Sequence, residues 1–185
     1  MMRIITGKAR GVRLKTLDSN ATRPTAERTK EAVFSSLQFD IQGRTVLDLF
    51  AGSGQMGLEA VSRGASRADF VDVSEAACNV VRENITLTRL DGNCRVFCRK
   101  AQDFLKTGTN ESYGLVFLDP PYASGLIPEV LETLLSQHRL DRDALVVIET
   151  GEDFEPDPGL PFETVKRNQY GLNHILILRY KEGNS

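Results

Sequence analysis

Thr45-Val46-Leu47-Asp48-Leu49-Phe50-Ala51-Gly52-Ser53-Gly54-Gln55-Met56-Gly57 decides the fold. Thr45–Phe50 is an apolar run of strand length, interrupted by one acid. A glycine loop follows, and Met56–Arg63 reads as a helix that Gly64 ends. A strand that feeds a helix through glycines is the opening unit of a parallel α/β sheet. The alternation continues downstream. Ala68–Val73 is a second strand, and Ser74 caps a helix whose Ala77, Val80, Val81 and Ile85 share a face. Cys94–Cys98 is a strand, Ala101–Leu105 a short helix and Leu115–Leu118 a strand. Ile127, Val130, Leu131 and Leu134 mark a further helix before the strand Ala144–Glu149. Phe162–Lys166 and Asn173–Tyr180 follow, joined around Gln169-Tyr170-Gly171 with no helix between them. The pattern predicts a mostly parallel sheet with an antiparallel edge.

Upstream of Arg44 the pattern differs. Arg3–Thr6 and Val12–Leu17 predict two short strands of a basic β-hairpin around Gly7-Lys8-Ala9-Arg10-Gly11. Thr25 is the expected N-cap of a helix from Ala26 to about Phe39. The 185 residues are expected to form one domain, with 1–43 as an N-terminal extension. That leading region is charged unlike the rest. Residues 1–44 carry nine Lys/Arg against four Asp/Glu, a surplus of five on a chain whose net charge is −2. A basic leading segment on an acidic body suits a polyanion. The chain is 41% hydrophobic and 26% charged, and no apolar run approaches the roughly 18 residues of a membrane span. The start lacks a signal-like apolar segment, so a cytoplasmic protein is expected. Cys78, Cys94 and Cys98 read as buried reduced thiols. With only His138 and His174 to join them, no metal site is expected.

Two stretches carry chemistry. Gly52, Gly54 and Gly57 satisfy G-x-G-x-x-G where a strand turns into a helix, and Asp72 ends the next strand, where an acid accepts from ribose hydroxyls. Both features fit NAD and S-adenosylmethionine equally. Asp48 separates them: a carboxylate beside the loop suits the ammonium of S-adenosylmethionine and repels a pyrophosphate. The second stretch is Asp119-Pro120-Pro121-Tyr122, after the strand Leu115–Leu118. Two prolines force the chain out of the sheet. The corner presents a carboxylate, the Pro120 carbonyl and a flat ring, a set that suits an exocyclic amine on a planar base. Ligands of open α/β sheets bind at the carboxyl ends of the strands, so both stretches should converge on one crevice.

These residues resemble class I S-adenosylmethionine-dependent methyltransferases acting on exocyclic amines. The closer resemblance is to the bacterial small-subunit ribosomal RNA guanine-N2 methyltransferases of the RsmD type. It is carried by Arg3–Gly7, Gly11–Leu14, Arg23-Pro24-Thr25, Arg28, Asp48–Gly57, Asp119–Tyr122, Glu149 and Tyr170-Gly171. The resemblance implies a seven-stranded Rossmann-like sheet whose last strand is antiparallel, and N2-methylation of one guanine of 16S rRNA, of the position-966 type. The partner would be 16S rRNA within a 30S subunit or an assembly intermediate. Asp48, Ala51, Gly52, Ser53, Gly54, Asp72, Val73, Ala101 and Asp119 would bind S-adenosylmethionine. Asp119, Pro120 and Tyr122 would carry the transfer. Arg3, Lys8, Arg10, Arg13, Arg23, Thr25 and Pro121 would meet the RNA. Lys100 departs from the family, which usually has Asp or Asn there to contact the adenine amine; lysine has donors only. The rival readings are a DNA adenine-N6 methyltransferase, an NAD-dependent oxidoreductase and a non-catalytic RNA-binding factor.

Overall fold

The computed structural model describes residues 2–17, 24–121 and 124–182, with only the backbone of 24–26. Helix α1 spans Pro24–Ser36. It is followed by β1 (Thr45–Leu49), α2 (Gln55–Ser62), β2 (Arg67–Asp72), α3 (Glu75–Thr88), β3 (Cys94–Cys98) and α4 (Ala101–Thr107). Then come β4 (Tyr113–Leu118), α5 (Leu126–Ser136), β5 (Leu140–Thr150), β6 (Phe162–Tyr170) and β7 (Asn173–Tyr180). The strands form one seven-stranded sheet in the order β3-β2-β1-β4-β5-β7-β6. β1 to β5 pair parallel, and β7 runs antiparallel to both β5 and β6. The order reverses at β1 and β4, so a crevice opens above their carboxyl ends.

Strand alternation sorts the core onto two faces. Val46, Leu115, Phe117, Leu145, Val147 and Ile175 pack with Val33 and Phe34 of α1, Leu58 of α2 and Val81 of α3. Leu47, Leu49, Val116, Leu118, Val146 and Ile148 pack with Phe104 of α4 and Leu131 and Leu134 of α5. The central parallel strands β1, β2 and β4 are covered on both sides, which is why they read as mostly apolar runs.

The N-terminal segment departs from the expected hairpin. It makes one isolated antiparallel bridge, Arg3 to Arg13, supported by Ile4 N–H to Val12 O at 2.9 Å and Leu14 N–H to Met2 O at 3.0 Å. Several of its other backbone groups go to α2 instead. Glu59 accepts the N–H groups of Ile5 at 2.7 Å and Thr6 at 3.0 Å, and the Ser62 hydroxyl accepts that of Ala9 at 3.0 Å. Glu59 is fully buried and also pairs with Arg63 at 2.8 Å and with Lys30 of α1 at 3.5 Å. One carboxylate thus ties the segment, α1 and α2 together.

Helix α1 begins earlier than expected, at Pro24, so Thr25 lies within the first turn and is not its N-cap. Proline suits that position because its missing N–H has no helical acceptor there. The helix stops at Ser36, short of Phe39, which is 90% exposed. The cysteines also differ from expectation: Cys78 is buried, Cys94 partly so, and Cys98 is exposed; all three are free thiols. Among the described residues, no helix is long and apolar enough to cross a membrane.

Candidate active site

The chain leaves β1 through three residues in the left-handed region, Phe50 (φ 61°), Gly52 (φ 55°) and Gly54 (φ 75°). Gly52 and Gly54 adopt it freely, whereas Phe50 is strained, as residues beside binding sites often are. The glycine loop is braced from β2: Ala51 N–H donates to Val71 O at 3.0 Å and Gly52 N–H to Asp72 Oδ2 at 2.9 Å. Asp72 Oδ1 accepts Ser74 N–H at 2.8 Å. Gly57 is glycine for packing reasons, since a Cβ there would stand 2.4 Å from Phe70 Cε1.

Asp48 is 4% exposed and accepts Gly57 N–H at 2.9 Å through Oδ2. Burial pushes its carboxyl up to about 8 against the pull of that N–H, and the charges of Asp119 and Asp72 push the same way. Asp119 follows β4 and opens to the crevice. Surrounding protein still desolvates its carboxyl, and with the charge of Glu149 this raises it to about 7. Glu149, near the end of β5, is also raised by burial, opposed by a 2.6 Å hydrogen bond from Asn173 Nδ2. Register explains the convergence. Asp48 pairs with Phe117, Leu118 with Ile148, and Glu149 with Ile175. Counting in twos from Val46, Phe117, Val147 and Ile175 puts Asp48, Asp119, Glu149 and Asn173 on one sheet face, the one toward α1–α3.

Three hollows meet at Asp119. A crevice of about 760 Å³ runs over β2 and α4, lined by Phe50, Asp72, Val73, Lys100, Ala101 and Pro120 among others. Val73 is 68% exposed on its rim, and Ala101 is buried at the start of α4. A hollow of about 120 Å³ under the glycine loop is lined by Asp48, Ala51, Gly52, Ser53 and Glu149. A pocket of about 160 Å³ on the β5 side is lined by Pro120, Pro121, Ser124, Glu149, Thr150 and Phe154. Asp119 lines all three.

The donor set tests the cofactor. Three raised carboxyls around one point leave a site short of positive charge. A ligand with an ammonium and a sulfonium fits it, since a cation beside Asp48 favours the ionised carboxylate, which a pyrophosphate at the glycine loop would not. The residues therefore fit S-adenosylmethionine better than a dinucleotide.

A family model described as Conserved hypothetical protein 95 matches residues 2–179. The ribosomal RNA small subunit methyltransferase D of Haemophilus influenzae is 36% identical over 154 residues, 82% of this chain and 80% of that one. Its Escherichia coli K12 counterpart is 37% identical over 161 residues, 86% of this chain and 78% of that one. The chain belongs to the RsmD family. An Escherichia coli structure titled as a candidate methyltransferase, yhhF, superposes with a TM-score of 0.87 at 30% identity, covering 98% of this chain and 99% of that one. Like the family, this chain is an S-adenosylmethionine-dependent methyltransferase.

The remaining expected site residues are distributed as follows. Arg3, Lys8, Arg10 and Arg13 are exposed on the N-terminal segment; Arg3 pairs with Glu27 at 2.9 Å. That segment runs along α2, from Met2 and Lys15 near Ser53 to Lys8 beside Ser62. Arg23, Tyr122 and the side chain of Thr25 lie outside the described residues. Sequence reasoning missed Asn173, Phe50 and Glu59. Only Glu59 left a trace, as an acid inside the apolar run Leu58-Glu59-Ala60-Val61.

Proposed function

We propose that this enzyme methylates the N2 amine of one guanine in small-subunit ribosomal RNA, of the position-966 type, presented in a 30S subunit or assembly intermediate in the cytoplasm. The observation that carries the reading is the position of Asp119, where the crevice, the glycine-loop hollow and the β5-side pocket meet. The names of the Haemophilus influenzae and Escherichia coli relatives support the RNA class.

In this reading the large crevice and the glycine-loop hollow take the cofactor. Asp48 holds its ammonium, Asp72 its ribose, and Val73 and Ala101 flank its base. Bound there, S-adenosylmethionine supplies an already activated methyl group. The chain's task is placement. Asp119 and the Pro120 carbonyl accept the two amine hydrogens; among the described residues no backbone N–H donates to Pro120 O. Holding both hydrogens draws the nitrogen lone pair out of conjugation and aims it. As the amine gains positive charge, the Asp119 carboxylate stabilises it in a partly desolvated site. The amine proton then leaves to solvent. Tyr122 and Pro121 cover the base, which must leave its stack to enter. Lys8, Arg10 and Arg13, which make no ion pair among the described residues, attract the RNA backbone together with Arg3, Arg23 and Thr25. Residues 1–43 thus serve as an RNA-binding extension of one catalytic domain.

The test is transfer of labelled methyl to 30S particles lacking the modification, with the product nucleoside identified. N2-methylguanosine is expected. N6-methyladenosine from duplex DNA, with none from the particles, would overturn the proposal.

A further inference from the structure

Glu149 and Asn173 form a polar pair that the transfer chemistry above does not use. Glu149 is half-buried, one strand over from Asp119. Leu118 and Ile148 are in register, so the acids that follow them stand side by side on the same sheet face. Both line the β5-side pocket of about 160 Å³, with Pro120 and Pro121. Asn173, the first residue of β7, donates Nδ2–H to Glu149 Oε1 at 2.6 Å. The Asn173 amide therefore fixes the carboxylate and favours its ionised, acceptor-only form.

The exocyclic amines of nucleobases differ in their neighbours. Guanine N2 is flanked on its pairing edge by N1–H, a donor. Adenine N6 and cytosine N4 are flanked there by a ring nitrogen lone pair, an acceptor. A second carboxylate beside the one that holds the amine therefore completes a donor–donor edge and opposes a donor–acceptor edge. We infer that Glu149 makes this enzyme specific for guanine: oriented by Asn173, its carboxylate accepts the N1–H adjacent to the amine held by Asp119. This rests on the guanine-N2 reading and supplies the selectivity that Asp119 and Pro120 lack, since they would hold any exocyclic amine. The charge effect of Glu149 on Asp119 is consistent with two carboxyls close enough to address neighbouring atoms of one base. A protein site built to accept a hydrogen bond rejects an analogue that lacks the donor, because its own polar group is left facing a lone pair.

2-Aminopurine probes this contact, because it keeps the 2-amine and replaces N1–H with a lone pair; it also lacks O6, so the part of the preference that Glu149→Gln abolishes is the part that belongs to N1–H. Particles are assembled with 16S RNA carrying either guanine or 2-aminopurine at the modified position, and kcat/KM for methyl transfer is compared. The wild-type enzyme is expected to favour guanine by roughly 10- to 100-fold. Glu149→Gln should shrink that preference sharply, because the amide can turn its N–H toward the N1 lone pair. Asn173→Ala should shrink it less. Calorimetric binding of S-adenosylhomocysteine checks that each variant retains its cofactor site. Equal transfer to both bases by the wild type, with N2-methylguanosine still formed, would remove Glu149 from recognition and leave the guanine reading intact. Parallel losses on both bases in Glu149→Gln, with the ratio unchanged, would reduce the pair to a tie between β5 and β7. No transfer to either RNA would sink the guanine reading, and this inference with it.

Discussion

Asp48→Asn separates the electrostatic argument from the fold. The amide oxygen can still accept Gly57 N–H, so the bracing of α2 survives, while the titrating group is lost. Burial raises the carboxyl from 3.8 to about 8 in the folded protein. The sign follows from linkage. Between those values the folded state holds a proton that the unfolded chain has released. This contribution to stability is complete below the unfolded value and fades as pH rises toward and through the folded one. The slope is about 1.4 kcal/mol per pH unit, so from pH 5.5 to 7.5 the ligand-free wild type should lose roughly 2–3 kcal/mol relative to Asp48→Asn. That corresponds to about 5–10 °C in relative Tm for a chain of this length. Asp119 and Glu149 titrate in both proteins and largely cancel in the difference. Urea unfolding of both proteins across that range measures it. At pH 7, binding of S-adenosylhomocysteine, which keeps the ammonium, should expel the Asp48 proton. The binding heat should then vary with the buffer's ionisation enthalpy in the wild type and much less in the variant. A wild-type minus variant difference that stays flat with pH would mean Asp48 is already ionised without ligand, and the account of a site awaiting a cation would fail.

Asp119→Ala should lower kcat by about 10²- to 10³-fold with little change in cofactor affinity, because it removes an acceptor that acts mainly on the developing charge; near-normal turnover would refute its role. In the proposed role Asp119 acts ionised, and burial with the charge of Glu149 raises it to about 7, so kcat/KM should rise with pH through neutrality and level above it; a profile flat from pH 6 to 8 would exclude it as the controlling group. Gly57→Ala would place a Cβ 2.4 Å from Phe70 Cε1 and should cost about 1–3 kcal/mol, read as a lower Tm. Glu59→Gln leaves the Lys30 ammonium buried without its carboxylate and weakens the hold on Ile5 and Thr6. It should cost about 3–5 kcal/mol and expose the segment around Lys8–Arg13 to trypsin, and an unchanged digestion pattern would contradict the anchoring role.

The strand–helix alternation after Arg44 was legible because each buried strand and amphipathic helix carries its own period. The two stretches were expected to converge on one crevice, and the reversal of strand order at β1 and β4, which no stretch of sequence announces, is what sets them side by side. The N-terminal segment was misread because its glycines and alternating apolar residues look like a hairpin, while its backbone donors find better acceptors on Glu59 and Ser62. Those contacts join positions more than fifty residues apart, so no local pattern signals them. Thr25 was assigned as a cap from its residue type, and Pro24 took the first helical position instead. Gly57 completes the G-x-G-x-x-G pattern, yet it yields its space to Phe70, so a glycine motif reports on packing as much as on binding.

The acids of the site illustrate what a sequence conceals and a register reveals. Asp48, Asp119 and Glu149 are spread over about a hundred residues, and only Asp48 and Asp119 sit in recognisable motifs. Once the strands are aligned, each acid falls two positions beyond a core residue of the same sheet face, Val46, Phe117 and Val147, with Asn173 two before Ile175 on the neighbouring antiparallel strand. Alternation alone then forces the four polar side chains together at the carboxyl edge. The apolar part of that face buries them enough to raise the carboxyls. The same packing that builds the core therefore makes the ligand-free site electrostatically uncomfortable, and a cationic ligand is the chemistry that relieves it.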